Sequence, residues 1–537
     1  LRVIGFDEAV GLVHDGDTLL IGGSGGGHAV PEALIVALEQ RFLKSGGPRA
    51  ITLLHPVGLG DNQNQGVGRL AHPELLKRIV TGALVNTPAI QEMALLDTVE
   101  AYTLPQGALS QLMREMAAGR PGLVSHVGLN TFVDPRYGGG RQSPSAREEL
   151  VELVTLAGRE WLFYKPFHVD IAFLRGSTVD EDGNVTMEQE AVFGEMLSMA
   201  QATRRYRGVV IVQVARLARR GTLPPKQVKI PGMLVDLVVL DPDQRQTYLT
   251  DYSPSYAGEL RVPLNEISPL SFDARKIISR RAALELFPGA ICNLGTGIST
   301  GIANLAAEEG ILEQIVLTNE QGLIGGAPAS GVDAGAAMNY DAMIDQPYQF
   351  DFYDGGGLDL AFLSFAQVDG EGSVNVSRFG NRIIGIGGFQ NIAQNAKTVV
   401  FSGTFTTGGL DISWENGQTV IHKEGRFSKF VTQLEQVSYN GKYAAQQGQT
   451  VIYITERAVF QREVDGLVLV EIAPGINLEH DILAQMEFQP RISTHLKQMD
   501  PRLFFLKRMG LARDLEAKPR LNLPERLRTF ERETVTL

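Results

Sequence analysis

The chain is 537 residues long, more than one compact core accommodates and enough for two or three domains. With 44% hydrophobic and 20% charged residues it has the composition of an ordinary globular protein, and no apolar run is long enough to cross a bilayer. A net charge of −12 argues against a nucleic-acid binder that relies on broad phosphate neutralisation. A small anion remains possible, held by a few cations and by backbone N–H groups at glycine turns. The single cysteine, Cys292, excludes an intramolecular disulfide and fits a reducing, cytoplasmic setting. Nine histidines are scattered without the spacing of a helical metal pair, so no metal site is expected. Leu1 to Gly5 carry neither an initiator Met nor a signal pattern, which leaves room for residues upstream, a removed targeting peptide included.

In chain order, the first strong signal is an apolar strand running into Gly22-Gly-Ser-Gly-Gly-Gly27. Residues 22–26 satisfy the G-x-S-x-G pattern of a hydrolase nucleophile elbow, which makes Ser24 a candidate serine nucleophile. In so glycine-rich a stretch the pattern arises easily, and close backbone approach to a ligand explains it as well. Val30–Phe42 reads as an amphipathic helix, and Ala50–Leu54 as a strand buried on both faces that runs into His55-Pro56-Val57-Gly58-Leu59. Asp170-Ile-Ala-Phe-Leu174 and the acidic turn Val179-Asp-Glu-Asp-Gly-Asn-Val185 come next, then the buried strand Val209–Val214. A stretch between about Asp251 and Ser279, with several Pro, Ser and Tyr residues, reads as a boundary.

Beyond it the chain repeats itself. Ala282–Gly289 echoes Ala9–Gly16, and Gly295-Thr-Gly297 takes the place of the first glycine turn. Gly295–Gly301 misses the G-x-G-x-x-G spacing by one residue, so a dinucleotide site there is weak. Thr300–Glu309 is a second amphipathic stretch, and Ile315–Thr318 a second buried strand. Asp359-Leu-Ala-Phe-Leu363 and Val368-Asp-Gly-Glu-Gly-Ser-Val374 repeat the earlier strand and turn, and Val399–Ser402 is a further buried strand. This implies two homologous α/β domains, each an open, largely parallel sheet covered by helices, with ligands beyond the carboxyl ends of the strands. The expected boundaries are 1–255, a linker at 256–278, and 279–537. The Arg-, Leu- and Pro-rich tail from about Ile492 is expected to be a packing arm.

One asymmetry between the copies carries chemistry. Aligning the Gly-Leu pairs of His55–Leu59 and Asn319-Glu-Gln-Gly-Leu323 sets Glu320 opposite Pro56. A carboxylate thus stands at a strand end in one copy alone, before the permissive segment Gly322–Gly331. A solvated loop glutamate would give the same letters.

At these residues the sequence resembles the single-chain class I coenzyme A transferases of the short-chain acyl and acetate/propionate type. The resemblance rests on Asp15-Gly16 with the Gly22–Gly27 turn and Pro31, on Leu104-Pro-Gln-Gly-Ala-Leu109, and on Glu320-Gln-Gly322 with Ile324-Gly-Gly326. Phe350–Asp359 and Gly387-Gly388-Phe389 complete it, so that it spans nearly the whole chain. Ser24, His28 and Gln321 depart from the usual family residues and leave the acyl preference open.

The resemblance implies two homologous open α/β/α domains of the CoA-transferase (NagB/RpiA-like) type. It also implies a ping-pong reaction through a glutamyl-CoA thioester on Glu320, with the Gln106 amide and the Gly388 N–H as oxyanion donors. Gly25, Gly26, Gly387 and Gly388 are expected to line the substrate and CoA site, although the sequence does not tell which of Gly387 and Gly388 points its N–H inward. The implied partners are acyl-CoA and small carboxylic acids, with no cofactor beyond CoA, no nucleic acid and no membrane, and the family habit is a homodimer or homotetramer. Rival functions are an acyl-CoA hydrolase using the same intermediate, a non-catalytic acyl-CoA sensor, and a serine esterase at Ser24.

Overall fold

The computed structural model describes residues 2–263 and 269–520. Residue 1, part of the expected 256–278 linker and the last stretch of the expected arm lie outside the described residues. In the first half, strands β1 (Thr18–Ile21), β2 (Ile51–His55), β3 (Leu76–Thr81), β4 (Glu100–Thr103), β5 (Ile171–Arg175), β6 (Val209–Val214) and β7 (Leu237–Leu240) form one sheet. Its order is β7-β6-β5-β1-β2-β3-β4, and every pair is parallel.

The second half repeats the centre of this sheet. Strands β8 (Ile291–Leu294), β9 (Val316–Thr318), β10 (Leu360–Ser364), β11 (Thr398–Ser402) and β12 (Thr450–Ile454) run parallel in the order β12-β11-β10-β8-β9. That is the order of β7-β6-β5-β1-β2. The edges differ: antiparallel strands Leu323–Ile324 and Ala342–Met343 follow β9, where the first half adds two parallel strands. Beyond β12 come β13 (Ala458–Glu463), β14 (Gly466–Ile472) and β15 (Arg491–Gln498).

Local chemistry fixes the same features twice. The strands are apolar on both faces because helices cover both sides of each sheet; all five residues of β5 are buried. The Asp170 carboxylate accepts the Thr18 N–H at 2.8 Å, and Asp359 accepts that of Ile291 at 2.9 Å, so each pins the start of its neighbouring strand. In the repeated turns, Asp180 accepts the N–H groups of Asp182 and Asn184, and Asp369 those of Glu371 and Ser373. Helices α1 (Glu32–Ser45) and α3 (Gly301–Glu309), separated by α2 (Gln106–Ala117), cross over from β1 to β2 and from β8 to β9. Both end at a left-handed glycine, Gly46 and Gly310.

The start of the C-terminal arm is the last strand of the second sheet, β15. Past it, the buried Arg280 guanidinium donates to the carbonyls of Leu503, Phe505 and Lys507, and the Glu309 carboxylate accepts the N–H groups of Met509, Gly510 and Leu511. Within the described residues, no helix is long and apolar enough to cross a membrane.

Candidate active site

The strand register settles the alignment around Glu320. Leu19 pairs with Leu53 and Ile171, as Cys292 pairs with Leu317 and Leu360. Leu317 therefore holds the place of Leu53, and Glu320 the place of Pro56. It lies just past the carboxyl end of β9, where an open parallel sheet binds its ligands.

Glu320 faces a cleft of about 530 Å³ between the two halves. The cleft gathers Gly25, Gly26, Gln106, Glu320, Gly387 and Gly388 into one wall system. Gln106 comes from the first turn of α2, and Gly387 and Gly388 precede α5 (Phe389–Asn395), α4 (Gln346–Asp354) lying between them in the chain. The remaining lining is largely apolar or glycine, with Val57, Ile384, Ile386 and Phe389 among it, and no Lys or Arg belongs to it among the described residues.

Backbone pairing across the halves sets this geometry. The N–H groups of Ile386 and Gly387 both donate to the Gly82 carbonyl at 2.8 Å, and the Gln106 N–H donates to the Gly387 carbonyl at 2.9 Å. Gly387 has thus spent its N–H, whereas that of Gly388 has no protein acceptor among the described residues. Gly388 is also the residue against which the Glu320 carboxylate rests, because a Cβ there would stand 1.9 Å from Glu320 Oε2. No other amino acid fits without moving the carboxylate. On the opposite wall a Cβ at Gly26 would stand 1.9 Å from the Val332 carbonyl oxygen, so the glycine turn of the first half packs directly on a loop of the second.

Burial in this cleft raises the Glu320 carboxyl to about 7, against donated hydrogen bonds from Gln321 and Gln106 that favour the anion. Gln321 Nε2 lies 3.3 Å from Glu320 Oε1, so the residue that departs from the family pattern touches the nucleophile candidate. Ser24 is different. It is fully buried, its Oγ has no hydrogen-bond partner among the described residues, and it does not line the cleft. His28 is buried beside it with its ring lowered to about 4 by desolvation, and its Nε2 faces the Ala334 carbonyl at 3.1 Å rather than the serine. Among the described residues Ser24 has no histidine partner of the kind an esterase needs.

Sequence reasoning missed the polar groups behind this wall: the Gly82 carbonyl and the side chains of Glu195 and Gln346. Gln346 stands four residues before the Phe350–Asp359 run, and nothing in its local sequence separates a buried helix-start glutamine from a solvated one. Among the described residues, no group of His, Cys, Asp and Glu has metal-site geometry.

A family model described as Coenzyme A transferase matches residues 3–241. The acetate CoA-transferase YdiF of Escherichia coli K12 is 42% identical over 517 residues, covering 95% of this chain and 96% of that protein. The caffeate CoA-transferase of Acetobacterium woodii is 43% identical over 518 residues, covering 95% and 98%. The crystal structure of the acyl-CoA transferase YdiF of E. coli O157:H7, as a thioester complex with CoA, matches with a TM-score of 0.90 at 41% identity, covering 95% of this chain and 97% of that one.

Proposed function

Because the chain belongs to the coenzyme A transferase family, we propose that Glu320 is the carboxylate on which CoA is held while it passes between acids. The enzyme is a CoA-transferase, and the observation that carries the residue assignment is the half-buried carboxylate of Glu320 in the cleft wall, shared with Gln106 and against Gly388.

Glu320 attacks the thioester carbonyl of an acyl-CoA, and the tetrahedral intermediate expels CoA thiolate to leave an acyl-glutamyl anhydride. The thiolate adds to the glutamyl carbonyl and expels the donor acid as its carboxylate, leaving CoA on Glu320 as a thioester. An acceptor carboxylate then runs the same steps in reverse. Every step exchanges one activated acyl bond for another, so neither ATP nor a cofactor beyond CoA is called for. A carboxylate is a weak nucleophile and depends on being positioned, which supplies about 7–11 kcal/mol in favourable cases. The oxyanions formed on the way need donors already in place. We assign these to the Gln106 amide and to the N–H of Gly388, the one of the glycine pair that is uncommitted.

Acetate and other short-chain acids are the proposed acyl partners, by likeness to the YdiF enzyme. We also take the protein to be cytoplasmic and to self-associate as a homodimer or homotetramer; light scattering on the purified enzyme tests the latter.

The deciding experiment is the intact mass after mixing with acetyl-CoA in the absence of acceptor. Wild type is expected to gain CoA minus water, and Glu320→Ala to gain nothing and to lose turnover. Gln106→Ala is expected to keep the adduct but to turn over roughly 100- to 1000-fold more slowly. Turnover without any adduct from a panel of short acyl-CoAs would sink the covalent route. Steady release of free acid without an acceptor would make the enzyme a hydrolase.

A further inference from the structure

Behind Gln106 lies a chain of buried polar side chains that does not touch the cleft. Gln106 Nε2 donates to Gln346 Oε1 at 3.3 Å. Gln346 Nε2 in turn donates to Glu195 Oε2 at 2.8 Å and to Ser110 Oγ at 3.4 Å, while the Ser110 hydroxyl donates to the same Glu195 oxygen at 2.8 Å. The backbone of Gln346 is pinned as well, its N–H donating to the Gly194 carbonyl at 2.9 Å. Glu195, Ser110 and Gln346 are essentially without solvent exposure and none lines the cleft.

We infer that Gln346, oriented by Glu195 and Ser110, is a positioning residue that fixes which end of the Gln106 amide faces Glu320. The inference rests on the oxyanion role given to Gln106 above.

The argument is one of polarity. A primary amide has a donor end and an acceptor end of nearly equal size, so shape alone does not hold one orientation. Ser110 spends its proton on Glu195 and offers Gln346 a lone pair. Glu195 Oε2 accepts from both neighbours, so the proton that burial favours on this carboxyl belongs on the other oxygen, Oε1, which has no partner among the described residues. Gln346 is therefore surrounded by acceptors on its nitrogen side and must turn its oxygen to Gln106. That oxygen takes one of the two N–H bonds of Gln106 and leaves the other for the carboxylate and the oxyanion. Without it, the Gln106 amide can rotate half a turn and present its own oxygen to a developing negative charge. Burying four polar side chains across the join of the two halves is costly unless they are paired; here only Glu195 Oε1 is left without a partner among the described residues, and each bond sets the direction of the next.

The test is a double-mutant cycle of Gln346→Leu with Gln106→Ala, read as kcat and as KM for acetyl-CoA. Gln346→Leu is expected to lower kcat about 10- to 100-fold with KM within about threefold, because the residue acts through Gln106 and touches no substrate. On the Gln106→Ala background the same substitution is expected to change kcat by less than about twofold. Gln346→Met, unbranched and of similar length, replaces it in the cycle if the leucine variant does not fold. Unchanged kcat in the single variant, or the same loss repeated on Gln106→Ala, overturns the positioning role. Full turnover in Gln106→Ala itself would instead overturn the oxyanion assignment on which the cycle stands.

Discussion

Glu320, the proposed nucleophile, is near half-protonated at neutral pH because burial withholds solvent from its charge, and only an ionised carboxylate attacks a thioester. Burial raises the carboxyl from 4.5 to about 7, so activity is lost as pH falls through 7. In free enzyme, kcat/KM for acyl-CoA is expected to drop about tenfold for each unit below that point and to level off above it. A profile flat from pH 5 to 8 would show that the attacking group is not this carboxyl. The same displacement has a stability consequence of opposite sense. Between pH 4.5 and 7 the native state keeps a proton that the unfolded chain has released, so folding is progressively weakened as pH rises through that window. Glu320→Gln removes the effect. The variant is expected to exceed wild type by about 1–3 kcal/mol at pH 8 and to match it at pH 4, as compared by urea unfolding at both values. On the proposed role, a nucleophile held in a poorly solvating cleft is a local cost to the fold that function requires.

At the scale of elements, the repeated strand and turn are anchored by carboxylates whose two copies differ in burial. Asp359 is almost fully buried, accepts the Ile291 N–H and pairs with Lys397 Nζ at 2.8 Å. Asp170 makes the equivalent backbone bond but is partly exposed, with His168 3.1 Å away. Asp359→Ala is therefore expected to destabilise by about 3 kcal/mol and Asp170→Ala by less than half as much, both measured by denaturant titration. Equal losses would show that the strand-start bond, and not the buried pair, dominates. These anchors were legible in the sequence because they are local: an acid, a run of apolar residues and a glycine recur at matched intervals. The centre of each sheet was legible for the same reason, since residues buried on both faces give uninterrupted apolar runs. The sheet edges were not. Nothing local separates the parallel β3 and β4 from the short antiparallel strands after β9, because edge pairing depends on what the rest of the chain leaves uncovered.

At the scale of the molecule, the site exists only because two halves are held in register, and this is what a sequence conceals. Glu320 was marked by its asymmetry with Pro56, and Gln106 and Gly388 by motif, but the choice of Gly388 over Gly387 depends on a carbonyl at Gly82 three hundred residues away. The two proposed donors sit on different halves, so their separation is set by the backbone pairing at Gly82 and Gly387 together with the contacts between α2 and α5. One residue links these directly. Asn391 on α5 accepts the Gly107 N–H at 3.1 Å and donates to Asp354 at 2.9 Å, beside the Gln111 amide that binds the same carboxylate. Removing its side chain leaves the first turn of α2 held beside Gly388 by the Gln106 N–H to Gly387 carbonyl bond without this second tie, while both sheets stay intact. Misplacement of a catalytic group by about 1 Å costs on the order of 100-fold. Asn391→Ala is therefore expected to lower kcat at least about tenfold while the protein remains folded by circular dichroism. Arg220→Ala, which breaks an exposed pair with Asp182, serves as the control and is expected to change neither. If Asn391→Ala turns over like wild type, the halves are held by the broader interface alone and the spacing of the two donors does not depend on this link.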